Sequence, residues 1–187
     1  DVDFIVIADF NGLNNLINQD SVASCFERSD WDACFANQSK KYYDIWALRH
    51  PLWSPNDCWS QHSFFREYLK VPELALYSSV QARMIHLPLD SDWIEVDSAF
   101  GGFAIYRKAV LTQGSYIGET SDGVACCEHV PLNLSLRKKG YKLFINPRLI
   151  NADSTDHSEN AFLGKFILRL FKYPRKFIKA KYLSKHP

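Results

Sequence analysis

Asp3-Phe4-Ile5-Val6-Ile7-Ala8-Asp9-Phe10-Asn11-Gly12-Leu13-Asn14 is the stretch from which the rest of the chain is read. Five apolar residues run unbroken from Phe4 to Ala8 and stop at Asp9. A short run of this kind, β-branched at its centre and bounded by turn formers, predicts a strand covered on both faces, as in the parallel sheet of an α/β protein. Ligands of open α/β sheets gather beyond the carboxyl ends of strands, where this chain sets Asp9, Asn11 and Asn14 around a Gly12 turn. These side chains offer oxygen, the donor that hard divalent cations prefer. The same Asp-x-Asn-Gly order is also ordinary turn chemistry, so the motif alone leaves both readings open.

The 187 residues, 47% of them hydrophobic, suit one domain with a substantial core. A net charge of +1 gives no global argument for nucleic acid or for a strongly anionic partner. The charge is unevenly placed, however. Eight Lys or Arg and no Asp or Glu fall in 161–187, which leaves fourteen basic against twenty-one acidic residues in 1–160. A segment this basic, with aromatic and aliphatic residues between its cations, is expected as an amphipathic helical segment kinked at Pro174, which either favours an anionic membrane surface or packs as a terminal helix with a solvated basic face. Five cysteines without a CxxC spacing signal neither a zinc site nor a full disulfide framework, and the default expectation is reduced thiols. Two sequons, at Asn37 and Asn133, matter only in a secretory compartment.

Further along, residues 42–48 are expected as an aromatic strand. Asp57 is expected to cap a helix whose Trp59, Phe64, Phe65, Tyr68 and Leu69 are mainly core. Residues 72–83 predict another helix with Pro72 in its first turn. In Ser98-Ala99-Phe100-Gly101-Gly102-Phe103-Ala104-Ile105-Tyr106 a glycine pair interrupts strand-like sequence. That points to a bulge, or to a place where backbone approaches a ligand closely. Cys127-Glu128-His129-Val130-Pro131 then opens a segment ending in Lys138-Lys139-Gly140, read as a helix with Glu128 at its electropositive N-terminus. Residues 141–145 return as a strand, ended by Asn146-Pro147.

Taken in order, Ala8-Asp9-Phe10-Asn11, the Gly101-Gly102 segment, Cys127-Glu128-His129 and the late Asp156-His157 resemble nucleotide-sugar glycosyltransferases of the GT-A fold, and among these the capsule- and lipopolysaccharide-type sugar transferases. The resemblance implies a Rossmann-like, mixed and mostly parallel sheet flanked by helices in residues 1–160. It also implies a hexosyltransferase activity, moving a sugar from a nucleotide-diphosphate donor to a glycan or lipid-linked acceptor. Asp9, Asn11 and His157 would hold Mn²⁺ or Mg²⁺, with Asp9, Asn11, Gly101, Gly102, Phe103 and His129 at the donor and acceptor site and Glu128 as the catalytic base. The sequence departs from the pattern at Asn11, which stands where the family usually has a second Asp. It also begins where the family usually has already run through its base-binding units, so an upstream segment is expected. The corresponding location is the cytoplasm, peripheral to the inner face of a membrane, or the Golgi lumen in a eukaryote. The rival expectation is an inactive transferase-like domain that binds carbohydrate or a partner.

Overall fold

The computed structural model describes residues 2–10, 12–119, 123 and 125–153. Asn11, His157 and the whole basic segment 161–187 therefore lie outside the described residues, and with them two of the three expected metal ligands and the expected membrane-facing helix.

Among the described residues five strands form one sheet, in the order β1 (Phe4–Ala8), β4 (Phe103–Arg107), β2 (Ala33–Gln38), β5 (Leu143–Ala152) and β3 (Ile94–Glu95). The architecture is α/β, a mixed sheet flanked by helices. Only β2 and β5 run parallel; β1 with β4, β4 with β2 and β3 with β5 are antiparallel. The expectation of a mostly parallel sheet is thus corrected. So is the expectation that β1 is covered on both faces. It lies at the sheet's edge, paired to β4 alone among the described strands, with Val6 half-exposed. An unbroken apolar run does not distinguish a central strand from an edge strand whose outer residues contact water.

Alternation along the central strands builds two cores. Ala33 and Phe35, Ala104 and Tyr106, Leu143 and Ile145 face one side, where Leu132 and Leu136 of α5 (His129–Lys138) complete the packing. Cys34 and Ala36, Phe103 and Ile105, and Phe144 face the other, against Trp31 and the segment of α1 (Gln19–Ala23) and the 3-10 turn Ser24–Phe26. β2 is buried along its whole length. Each large side chain withdrawn from water there contributes on the order of 1.5–3 kcal/mol.

Residues 42–48 are not a strand. Tyr42, Ile45, Ala47 and Leu48 are buried in the first core, but the backbone turns at 45–47, where Asp44 Oδ1 accepts from the Ala47 N–H at 3.2 Å. Aromatic content reported burial and not extension. The helix capped by Asp57 is α2 (Cys58–Leu69), with the Asp57 carboxylate accepting from the N–H groups of Trp59 and Ser60. Its aromatics are not core: Trp59, Phe64 and Tyr68 are exposed, and Cys58 is the one buried residue of the helix. α3 (Pro72–Ser79) begins at Pro72 as expected and passes into a 3-10 turn, Gln81–Arg83, and the short α4 (Lys108–Leu111) follows β4 directly.

β5 continues through Asn146-Pro147 to Ala152. The register against β2 shifts there, from Phe35 opposite Ile145 to Asn37 opposite Ile150. This bulge absorbs the proline, and the Asn37 amide donates to the Pro147 carbonyl at 3.0 Å. Both sequon asparagines are fully buried, Asn37 in this bulge and Asn133 on α5, where its amide joins the Tyr106 hydroxyl and the Ala99 carbonyl. Neither can accept a glycan in the folded chain. No helix of the described residues is long and apolar enough to cross a membrane.

Candidate active site

The ends of β1, β2 and β5 meet at the turn that opens β4. Gly101 and Gly102 occupy that turn with φ of +70° and +85°, left-handed values that residues with a Cβ rarely adopt. Space excludes a side chain as well. A Cβ at Gly101 would stand 2.8 Å from the Ala36 carbonyl oxygen, and one at Gly102 would stand 3.1 Å from the Tyr43 hydroxyl. The pair therefore starts β4 and does not interrupt it.

Its carbonyls gather the surrounding chain. The Gly101 oxygen accepts from the side-chain amides of Gln38 (3.0 Å) and Asn151 (2.8 Å). The Gly102 oxygen accepts from the Asp9 N–H (3.0 Å) and the Asn14 amide (3.0 Å). Asn14, itself at φ +73°, also donates to the Asp9 carbonyl and accepts from Asn151. This fixes the Asp9 backbone. It also means that Asn14 is committed to its neighbours and is not a spare oxygen ligand, as the sequence had offered it. Both glycines are buried, and the Gly102 carbonyl holds the Asp9 backbone in place. Phe103, expected at the donor and acceptor site, faces the second core, buried in one cluster with Trp31, Cys34 and Phe144. One residue along a strand reverses the face, and the pair's turn conformation set that phase.

Three carboxylates converge here. Asp9 is half-buried, and its carboxyl is held above the ordinary range by burial and by the negative charge of Glu128. Asp44 Oδ2 accepts from the Gly101 N–H at 3.0 Å. Burial raises its carboxyl, the N–H groups of Gly101 and Ala47 oppose that, and the charges of Asp9 and Glu128 add to it. Among the described residues no Lys or Arg forms a salt bridge with any of the three. The site is an acidic spot that favours positive charge or a group able to give up a proton.

Glu128 is the N-cap residue of α5, yet its carboxylate caps no backbone N–H. It accepts instead from the Tyr116 hydroxyl at 3.2 Å and lies 3.9 Å from His129 Nε2. The His129 ring stacks on Phe100 at 3.7 Å and 17°, with Tyr116 edge-on to it. Burial, outweighing the Glu128 charge, pushes His129 down to about 4, so it is neutral at pH 7. Among the described residues its Nδ1 has no partner, while Nε2 is 3.3 Å from the Tyr116 oxygen. A proton on Nε2 lets the imidazole donate to Tyr116 and Tyr116 donate to Glu128, leaving only a lone pair unsatisfied at Nδ1. Next to them the Cys127 thiol is buried and pushed up to about 12, chiefly by desolvation, which makes it inert.

Beside Asp44 a cleft of about 610 Å³ opens, lined by Asp44, Trp46, Trp59, Leu76, Val80 and Met84. Its size is that of a small-ligand pocket, roughly 300–1,000 Å³. Sequence reasoning passed over Asp44, Tyr116, Gln38 and Asn151. An Asp within an aromatic run was the one legible sign of Asp44; Gln38 and Asn151 act through contacts between distant segments, and Tyr116 through the side chains of Glu128 and His129. Among the described residues no group of three His, Cys, Asp or Glu could hold a metal ion. No family model, no curated protein and no solved structure matches the chain.

Proposed function

We propose that the chain is the catalytic part of a GT-A-like glycosyltransferase, moving a sugar from a nucleotide-diphosphate donor to a hydroxyl of a glycan or lipid-linked acceptor. The observation that supports it best is the meeting of Asp9, at the carboxyl end of β1, with Glu128, whose carboxylate is free of its own helix and faces the same acidic spot. In this reading the acceptor enters along the cleft at Trp59 and Asp44. Its hydroxyl oxygen attacks the anomeric carbon, the bond to the nucleoside diphosphate breaks with its electron pair, and the hydroxyl proton passes to Glu128. Tyr116, held by neutral His129, keeps the Glu128 carboxylate oriented before the acceptor arrives. A divalent cation would neutralise the leaving diphosphate. Of its expected ligands only Asp9 is among the described residues, and these alone do not fit a metal, so the steps above are those of the chain's own groups.

A second reading, a transferase-like domain that binds carbohydrate or a partner without transferring sugar, is favoured by Asn11 in place of a carboxylate. Incubating the full-length protein with a panel of sugar nucleotides and measuring released nucleoside diphosphate separates the two. Release above the buffer rate supports the transferase, and binding without release supports the second reading.

A further inference from the structure

Two thiols of the second core, far in role from the carboxylates, touch each other. Cys25, in the turn Ser24–Phe26, and Cys34, on β2, are free and fully buried, with their Sγ atoms 3.2 Å apart. A polar patch surrounds them inside an apolar core: the Asn146 amide donates to Cys25 Sγ at 3.4 Å and to the Ser24 hydroxyl at 2.9 Å. The Trp31 indole N–H holds the Cys25 carbonyl at 2.7 Å, which fixes the turn that presents the thiol. Among the described residues no other pair of cysteine sulfurs is in contact.

We propose that Cys25 and Cys34 form a reversible disulfide by exchange with a small-molecule disulfide of the glutathione type, stapling the Ser24–Phe26 turn to the central strand. The Cys25 thiolate attacks one sulfur of the external disulfide and releases a thiolate, giving a mixed disulfide. Cys34, giving up its proton, then attacks Cys25 Sγ and expels the second small thiol. One disulfide is reduced to two thiols as two protein thiols are oxidised to one disulfide. The order of attack follows the surroundings: hydrogen bonds from Cys34, Asn146 and Ser24 draw the Cys25 thiol down, whereas burial drives Cys34 well up. Because both sulfurs are buried, exchange proceeds through opening of the turn or during folding. The linked state also reports compartment, closed in an oxidising lumen and open in a reducing cytosol.

The test uses the full-length chain in two arms, one equilibrated folded and one refolded from denaturant, each with excess oxidised glutathione, then acid-quenched, denatured, alkylated and mapped by mass spectrometry. The expected result is a Cys25–Cys34 linked peptide in the refolded arm, appearing more slowly in the folded arm, with Cys58 unlinked. Cys25→Ser and Cys34→Ser should each abolish it, and the linked wild type should melt at a higher temperature than the reduced form. Cys25 and Cys34 both found alkylated or separately glutathionylated after refolding, or Cys25 joined to another cysteine, overturns the proposal.

Discussion

The imidazole of His129 lies flat on the Phe100 ring, 3.7 Å away and only 17° from parallel. A ring so placed is neutral, because protonation would charge a group that is 5% exposed and, among the described residues, unpartnered at Nδ1. The folded value of about 4 is below the unfolded value near 6.5, so unfolding takes up a proton between them. The stability this contributes is whole above pH 6.5 and is lost as pH falls towards 4, to the extent of about 3 kcal/mol. Denaturant titrations at several pH values in that window should show the loss, and His129→Phe should flatten it.

Glu128→Gln should lower turnover by on the order of a hundredfold or more, as expected for removal of a general base. Since the carboxylate caps no backbone group, the melting temperature should move little. A variant that loses stability and keeps its turnover would return Glu128 to a structural role.

Gly101→Ala should be among the most damaging single changes in the chain. It forces a Cβ into a left-handed backbone, about 1–2 kcal/mol by itself, and sets it 2.8 Å from the Ala36 carbonyl on a fully buried strand. Equilibrium unfolding should show a loss above about 2 kcal/mol, and activity should fall with it as Asp9 is displaced.

Trp59 is 44% exposed at the rim of the cleft. Its loss should therefore cost little stability, while removing an aromatic face on which a sugar ring can stack. A contribution of about 0.5–1.5 kcal/mol corresponds to a roughly two- to tenfold rise in acceptor KM at unchanged donor KM. An unchanged acceptor KM for Trp59→Ala would place the acceptor elsewhere.

A divalent cation should bind more tightly together with a nucleoside diphosphate, because the described residues by themselves hold no metal-binding group and phosphate oxygens add donors beside Asp9. Mn²⁺ titration with and without nucleoside diphosphate measures this, and Asp9→Ala should abolish the diphosphate-dependent binding. Asn11→Asp, which restores a second carboxylate, should tighten it.

The sequence by itself determined the local elements whose causes are local. Phe4–Ala8 is a strand, Asp57 caps α2, Pro72 opens α3, and Pro131 lies in the first turn of α5 with Glu128 at its start, because side-chain branching, capping oxygens and fixed proline φ act within a few residues. Tertiary structure decided the pairing. That β1 is an edge strand among the described ones and antiparallel to β4, that 42–48 turns instead of extending, and that β5 runs through Asn146-Pro147 all depend on partners up to 110 residues away. The candidate site divides in the same way. Asp9 and Glu128 were legible as residue types at strand and helix ends. Asp44, Asn14 and Asn151 became positioning groups only when the left-handed Gly101-Gly102 turn brought their segments together, and Tyr116 only through the side chains of Glu128 and His129, because such tertiary hydrogen bonds leave no periodicity in the chain.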